Sequence, residues 1–119
     1  MAFIEKRVFP RLSCKVEVQC RAISLPEGIG SLRAQSKDIS AGGIGLMTPD
    51  KFNLGTALVL MFSLPDMKEP ICAMGKVMWT EEANTGTPGL TKAYDTGIEF
   101  ISIQPEDQEK IKQYVIPRL

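Results

Sequence analysis

Two short stretches of this chain carry residue types that do chemistry. Arg7-Val8-Phe9-Pro10-Arg11 holds two arginines with three residues between them. Asp38-Ile39-Ser40-Ala41-Gly42-Gly43 brings a carboxylate, a hydroxyl and two glycines together at a turn. A guanidinium is planar, permanently charged and forked, so it grips a phosphate with two parallel bonds or takes the O6/N7 edge of a guanine. It also lies flat on a purine ring. Phe9-Pro10 stiffens the first stretch, because proline fixes its own φ and restricts the residue before it. In the second stretch Asp38 accepts from ring N–H and amino groups, and Ser40 donates or accepts. Gly42 and Gly43 tolerate φ > 0 and leave room near the backbone. Each stretch alone has a plain structural explanation. The arginines would be solvated charges near a terminus, and Asp38 and Ser40 would bond the N–H groups of their own turn. Taken together they fit a small ligand bearing phosphates and hydrogen-bonding rings.

The elements that must position these residues are mostly strands. Residues 13–23 alternate, with Cys14, Val16, Val18, Cys20 and Ala22 on one face and charged or polar residues on the other. Pro26–Gly30 reads as a loop. Ser31–Lys37 is a more polar strand running into the Asp38–Gly43 turn. Ile44–Met47 is a short third strand. Phe52, Leu54 and Gly55 belong to a connection capping the core. Ala57–Leu64 is nearly all apolar, and Pro65–Pro70 is a turn. Ile71–Thr80 alternates again, which places Trp79 beside Val77 in the core and Met74 and Met78 on the opposite face. Glu81–Leu90 reads as a polar loop and Tyr94–Ile103 as the last strand. The period then changes. Pro105 suits a first helical position, Glu106 and Asp107 suit the positive helix end, and Ile111 and Val115 share one face before Pro117. Six strands and one helix predict a mainly β fold, a small six-stranded antiparallel β-barrel with a C-terminal α-helix and a flexible N-terminal arm. The arm spans residues 1–12 and the barrel with its helix spans 13–119.

The order and spacing of the two stretches resemble the PilZ domain family. Arg7-x-x-x-Arg11 stands where that family has a motif on an arm before the barrel, and Asp38-x-Ser40-x-x-Gly43 stands on a barrel strand and turn. Gly75-Lys76-Val77-Met78-Trp79 and Gly97-Ile98-Glu99-Phe100 resemble the family's fifth and last strands. The likeness runs from Lys6 to Tyr114. It implies a receptor for the bacterial second messenger cyclic di-GMP. Arg7 and Arg11 would hold phosphates and guanine edges, Asp38 and Ser40 would bond guanine, and Gly42 and Gly43 would let a base approach the backbone. Lys6 is expected as a secondary phosphate contact. The mechanism implied is ordering of the arm over the barrel, which presents a changed surface to a separate effector protein in control of motility or biofilm formation. The rival within the family is an interaction module of the same fold that does not bind the nucleotide.

Composition narrows the classes. At 119 residues the chain fits one domain. Fourteen basic and fourteen acidic residues cancel, which disfavours general nucleic-acid binding. No histidine is present, so the commonest general base is missing, and no nucleophile–base constellation points to an enzyme. A flavin-binding barrel would need a contact set that is not visible, so no cofactor is expected. Without histidine or a CxxC pair no metal site is expected. The three cysteines read as free, buried thiols of a reducing compartment. No apolar run is long enough to span a membrane and no leader is evident, so the expectation is a cytoplasmic protein without direct membrane insertion.

Overall fold

The computed structural model describes residues 9–23, 32–83 and 92–119. Lys6 and Arg7, the loop expected at Pro26–Gly30, and most of that expected at Glu81–Leu90 lie outside the described residues. Seven strand segments precede one helix: β1 (Leu12–Ser13), β2 (Glu17–Ala22), β3 (Leu32–Ser40), β4 (Gly43–Thr48), β5 (Ala57–Phe62), β6 (Ile71–Ala83), β7 (Ala93–Ile103) and α1 (Pro105–Val115). The helix ends in a 3-10 turn, Ile116–Arg118, which contains Pro117. All pairings are antiparallel, in the order β3-β2-β5-β6-β7-β4, and β3 pairs with β4 to close the ring. The expected six-stranded barrel with a C-terminal helix is therefore the observed architecture.

The first expected strand comes in two pieces for a reason visible in the register. Leu12 pairs with Ile39, but Glu17 pairs with Gln35, so one extra residue is inserted between them. That bulge leaves backbone groups of residues 14–16 off the ladder. The Ser36 hydroxyl satisfies two of them: it accepts from the Val16 N–H at 2.8 Å and donates to the Cys14 carbonyl at 2.6 Å. Ser36 is buried, as a polar group with both functions satisfied can be.

Alternation fills the barrel. Val18, Ile39, Leu46, Leu58, Leu60, Ile71 and Val77 are almost fully buried, and Phe62 stacks on Phe100 with ring centroids 6.4 Å apart. Helix α1 closes one end with Ile111 and Val115. A helix this short persists only when docked. Gln108 fastens it by donating to the Ala41 carbonyl at 3.0 Å.

Three expectations need correction. Trp79 is not in the core: a second bulge, between Val77 and Trp79 in the pairing of β6 with β7, turns it to the outer face, where it is 39% exposed. Glu81–Ala83 is not loop but the end of β6, paired to Ala93–Asp95. Of the three free cysteines, Cys14 and Cys20 are buried but Cys72 is exposed on β6.

Burial pushes the Cys20 thiol from its ordinary 9.0 up to about 12. The unfolded chain releases this proton first, so stability is full below pH 9.0 and is lost as pH rises towards about 12. The slope from one such group is about 1.4 kcal/mol per pH unit. Urea denaturation of the wild type should show this decline, and Cys20→Val should make it shallower, the buried Cys14 thiol being raised in the same direction.

Candidate functional site

Asp38 lies within β3 and not in the turn that follows it, since β3 runs on to Ser40. Its partner across β4 is Gly45, Gly45 is opposite Gly97 on β7, and Gly97 is opposite Trp79 on β6. These four residues form one row across the outer face of the barrel. The two glycines make room for the larger ends of the row. A Cβ on Gly45 would stand 2.9 Å from the Asp38 Oδ1, and a Cβ on Gly97 would stand 2.1 Å from the Trp79 Nε1. The carboxylate thus leans over β4 from one end and the indole covers β7 from the other.

Arg11 arrives from outside the barrel and meets this row. Its Nη1 is 3.7 Å from the Asp38 Oδ1, an ion pair beyond hydrogen-bond length with both side chains about one third exposed. The segment that carries it is anchored two residues earlier. The Phe9 ring lies against Gly42, where a Cβ would stand 2.9 Å from the ring Cδ2. The Lys112 ammonium of α1 sits 5.2 Å from the Phe9 ring centroid, a cation–π contact. Phe9 therefore ties the arginine-bearing segment to both the turn and the helix.

The turn itself is held from within. The Ser40 hydroxyl accepts from the N–H groups of Gly42 and Gly43, each at 3.1 Å. Gly42 carbonyl accepts from the Phe100 N–H at 2.9 Å, which ties the turn to β7. Neither Gly42 nor Gly43 adopts a left-handed φ; both are glycine for space. At Gly43 that space belongs to the neighbouring strand, because a Cβ would stand 2.3 Å from the Ile98 carbonyl oxygen.

Of the expected site residues, the structure thus brings Arg11 and Asp38 into contact. It places Ser40, Gly42 and Gly43 in the adjoining turn, with Ser40 bonded to the backbone. Lys6 and Arg7 fall outside the described residues. Sequence reasoning missed Trp79 as a member of this face. The one available signal was Gly97, opposite Trp79 and too small to fill its own position, but the intervening bulge has no sequence signature that alternation can detect. Among the described residues, no group of three or more cysteine, aspartate or glutamate side chains is placed to hold a metal ion. No described helix is long and apolar enough to cross a membrane.

Comparison with known proteins is consistent with this geometry. A family model described as PilZ domain matches residues 5–116. Among solved structures, the Bacillus subtilis inhibitor of motility MotI superposes with a TM-score of 0.75 at 28% identity, over 97% of this chain and 52% of that one. The PilZ domain of YcgR from Escherichia coli, solved with c-di-GMP, gives a TM-score of 0.71 at 14% identity, over 95% and 91% of the two chains. The K. pneumonia MrkH–c-di-GMP complex gives 0.68 at 20% identity, over 93% and 51%. The chain spans about half the length of MotI and MrkH. No curated protein is a significant match.

Proposed function

The chain belongs to the PilZ domain family, and from that premise we propose that it is a non-catalytic receptor for cyclic di-GMP which relays the signal to a separate protein. The observation that carries the reading is the meeting of Arg11 and Asp38, from separate segments, at one end of an outer-face row whose other end is Trp79. Cyclic di-GMP combines two phosphates with two guanines. A forked cation suits a phosphate or the O6/N7 edge of guanine, and a carboxylate suits guanine N1–H and its amino group. An exposed indole suits the flat face of a purine. Arg7 adds a second guanidinium in the same segment, and Lys6 adds a further charge before it.

In this reading the Arg11–Asp38 pair opens so that each partner meets the ligand. Ser40 keeps its hold on the turn, and the backbone around Gly42 and Gly43 presents that turn to the nucleotide. Phe9 lies between the two arginines and on the turn at once, so movement of the arm disturbs its contact with Lys112 on α1. The changed surface around the arm and α1 is what a partner would read, a ligand-driven shift between two arrangements. The motility inhibitor among the similar structures makes motility one process to examine.

Titration of purified protein with cyclic di-GMP tests the reading directly. Calorimetry should show saturable heat, and because Trp79 is the sole tryptophan, its fluorescence should change with the same midpoint. A folded sample that gives neither heat nor a fluorescence change would leave the chain as an interaction module that does not bind the nucleotide.

A further inference from the structure

Beside the row of Asp38, Gly45, Gly97 and Trp79 lies a second cation that the two sequence motifs do not include. The pairing of β3 with β4 shifts register between Ser36 and Asp38, and Lys37 is the extra residue. A bulge of this kind re-aims a side chain. Here it leaves Lys37 next to Asp38 on the exposed side of the barrel and lets its ammonium reach over β4 to the Asp95 carboxylate on β7. Met47, opposite Asp95 in the ladder, lies on the strand that is crossed. Asp38, the next residue, and Glu81, opposite Asp95 in the β6–β7 ladder, also act on the Lys37 charge. Together with Asp95 they raise its proton affinity above the ordinary lysine value, chiefly through the hydrogen bond to Asp95. Lys37 is fully charged at neutral pH.

This arrangement sets an electrostatic problem for an anion. Asp38, Asp95 and Glu81 make the row's surroundings acidic, while Arg11 is already engaged by Asp38. A phosphate arriving there needs a cation that can leave its present partner. Lys37 meets that need: its side chain is 46% exposed against 21% for Asp95, so the ammonium is the open end of the pair, and its partner sits across a single strand. A lysine is also a compact charge on a flexible stem, able to swing without disturbing the backbone.

We propose that Lys37 is a further nucleotide-contacting residue, which exchanges Asp95 for a ligand phosphate when cyclic di-GMP occupies the row. The proposal rests on the receptor reading above. Asp95 is then a competitor for the lysine and not a ligand contact. The two halves of the pair should act in opposite directions on binding, whereas a pair that only braced the barrel would give the same direction for both.

Calorimetric titration with cyclic di-GMP should be run on wild type, Lys37→Gln, Lys37→Arg and Asp95→Asn at two salt concentrations, with thermal melts as the check on folding. Lys37→Gln should weaken affinity about tenfold, as for loss of a charge-assisted bond, and should show a shallower salt dependence than wild type. Lys37→Arg should retain most of the affinity. Asp95→Asn should bind a few-fold more tightly, since a competing charge has gone. Wild-type affinity in Lys37→Gln, or equal weakening in Lys37→Gln and Asp95→Asn, overturns the proposal while leaving the receptor intact. Failure of the wild type to bind overturns both.

Discussion

Arg11→Ala should weaken cyclic di-GMP binding by about ten- to a hundredfold, the range for losing a hydrogen-bonded charge, while leaving the fold close to wild type. The two halves of this expectation have different origins. The fold is spared because the Arg11–Asp38 pair is about one third exposed at each partner and 3.7 Å long, and such pairs contribute about 0–1 kcal/mol. Binding is not spared, because a forked cation is the group that a phosphate or guanine edge selects. Asp38→Ala is the informative companion. It removes the proposed acceptor for guanine and also the partner that engages Arg11, so its loss should be smaller than that of Arg11→Ala if the phosphate contact dominates. Calorimetric affinities with matched melting curves test the pair. Unchanged affinity in both variants would move the site elsewhere on the barrel.

Gly43→Ala should act the other way, on stability first. The Cβ it introduces would stand 2.3 Å from the Ile98 carbonyl oxygen and 3.4 Å from the Glu99 Cα. Both atoms are backbone, so no side chain can turn aside, and the β4–β7 ladder must open where Gly43 pairs with Glu99. Overpacking of this sort costs about 1–3 kcal/mol, occasionally more. Gly42→Ala differs by one residue and meets instead the edge of the Phe9 ring at 2.9 Å. An aromatic side chain on a terminal segment can shift, so the fold should lose less while the arm is displaced. Urea denaturation should therefore rank Gly43→Ala well below Gly42→Ala in stability. The reverse ranking would mean that the Phe9 contact at Gly42, and not the strand contact at Gly43, is the tighter constraint.

Much of this was legible in the sequence because period-two alternation survives wherever the pleat is regular. Val18 and Cys20 on β2, Leu58 and Leu60 on β5, and Ile71 and Ala73 on β6 all face inward as the pattern requires. Pro105 and the acidic first turn likewise marked the start of α1. Two misreadings sit at bulges. Each inserted residue reverses the alternation beyond it, and counting across the one before Trp79 puts the indole in the core. The offset at residues 14–16 was hidden for the same reason, since its compensation comes from Ser36, twenty or more positions away. Asp38 and Ser40 look like turn residues because of the glycines that follow them. The strand runs through both, and the turn is left to Ala41 and Gly42. Nothing in the chain order announces that Lys37 reaches Asp95, fifty-eight residues on. That pairing exists only once β3, β4 and β7 are side by side.

Ring closure has a consequence for how a message would leave the proposed receptor. With β3 joined to β4, each of the six barrel strands has hydrogen-bonded neighbours on both sides. Recognition by strand addition, in which a partner's extended segment zips onto a bare sheet margin, is then confined, among the described residues, to strand ends that outrun a partner, such as residues 79–83 of β6, paired with β7 alone. Around the closed ring the backbone is already paired, so an effector of the proposed receptor would distinguish its occupied from its empty state there through side chains. In the proposed receptor the message would then be written in surface charge and shape: two phosphates arriving among carboxylates and lysines, and an arm shifted on its aromatic anchor.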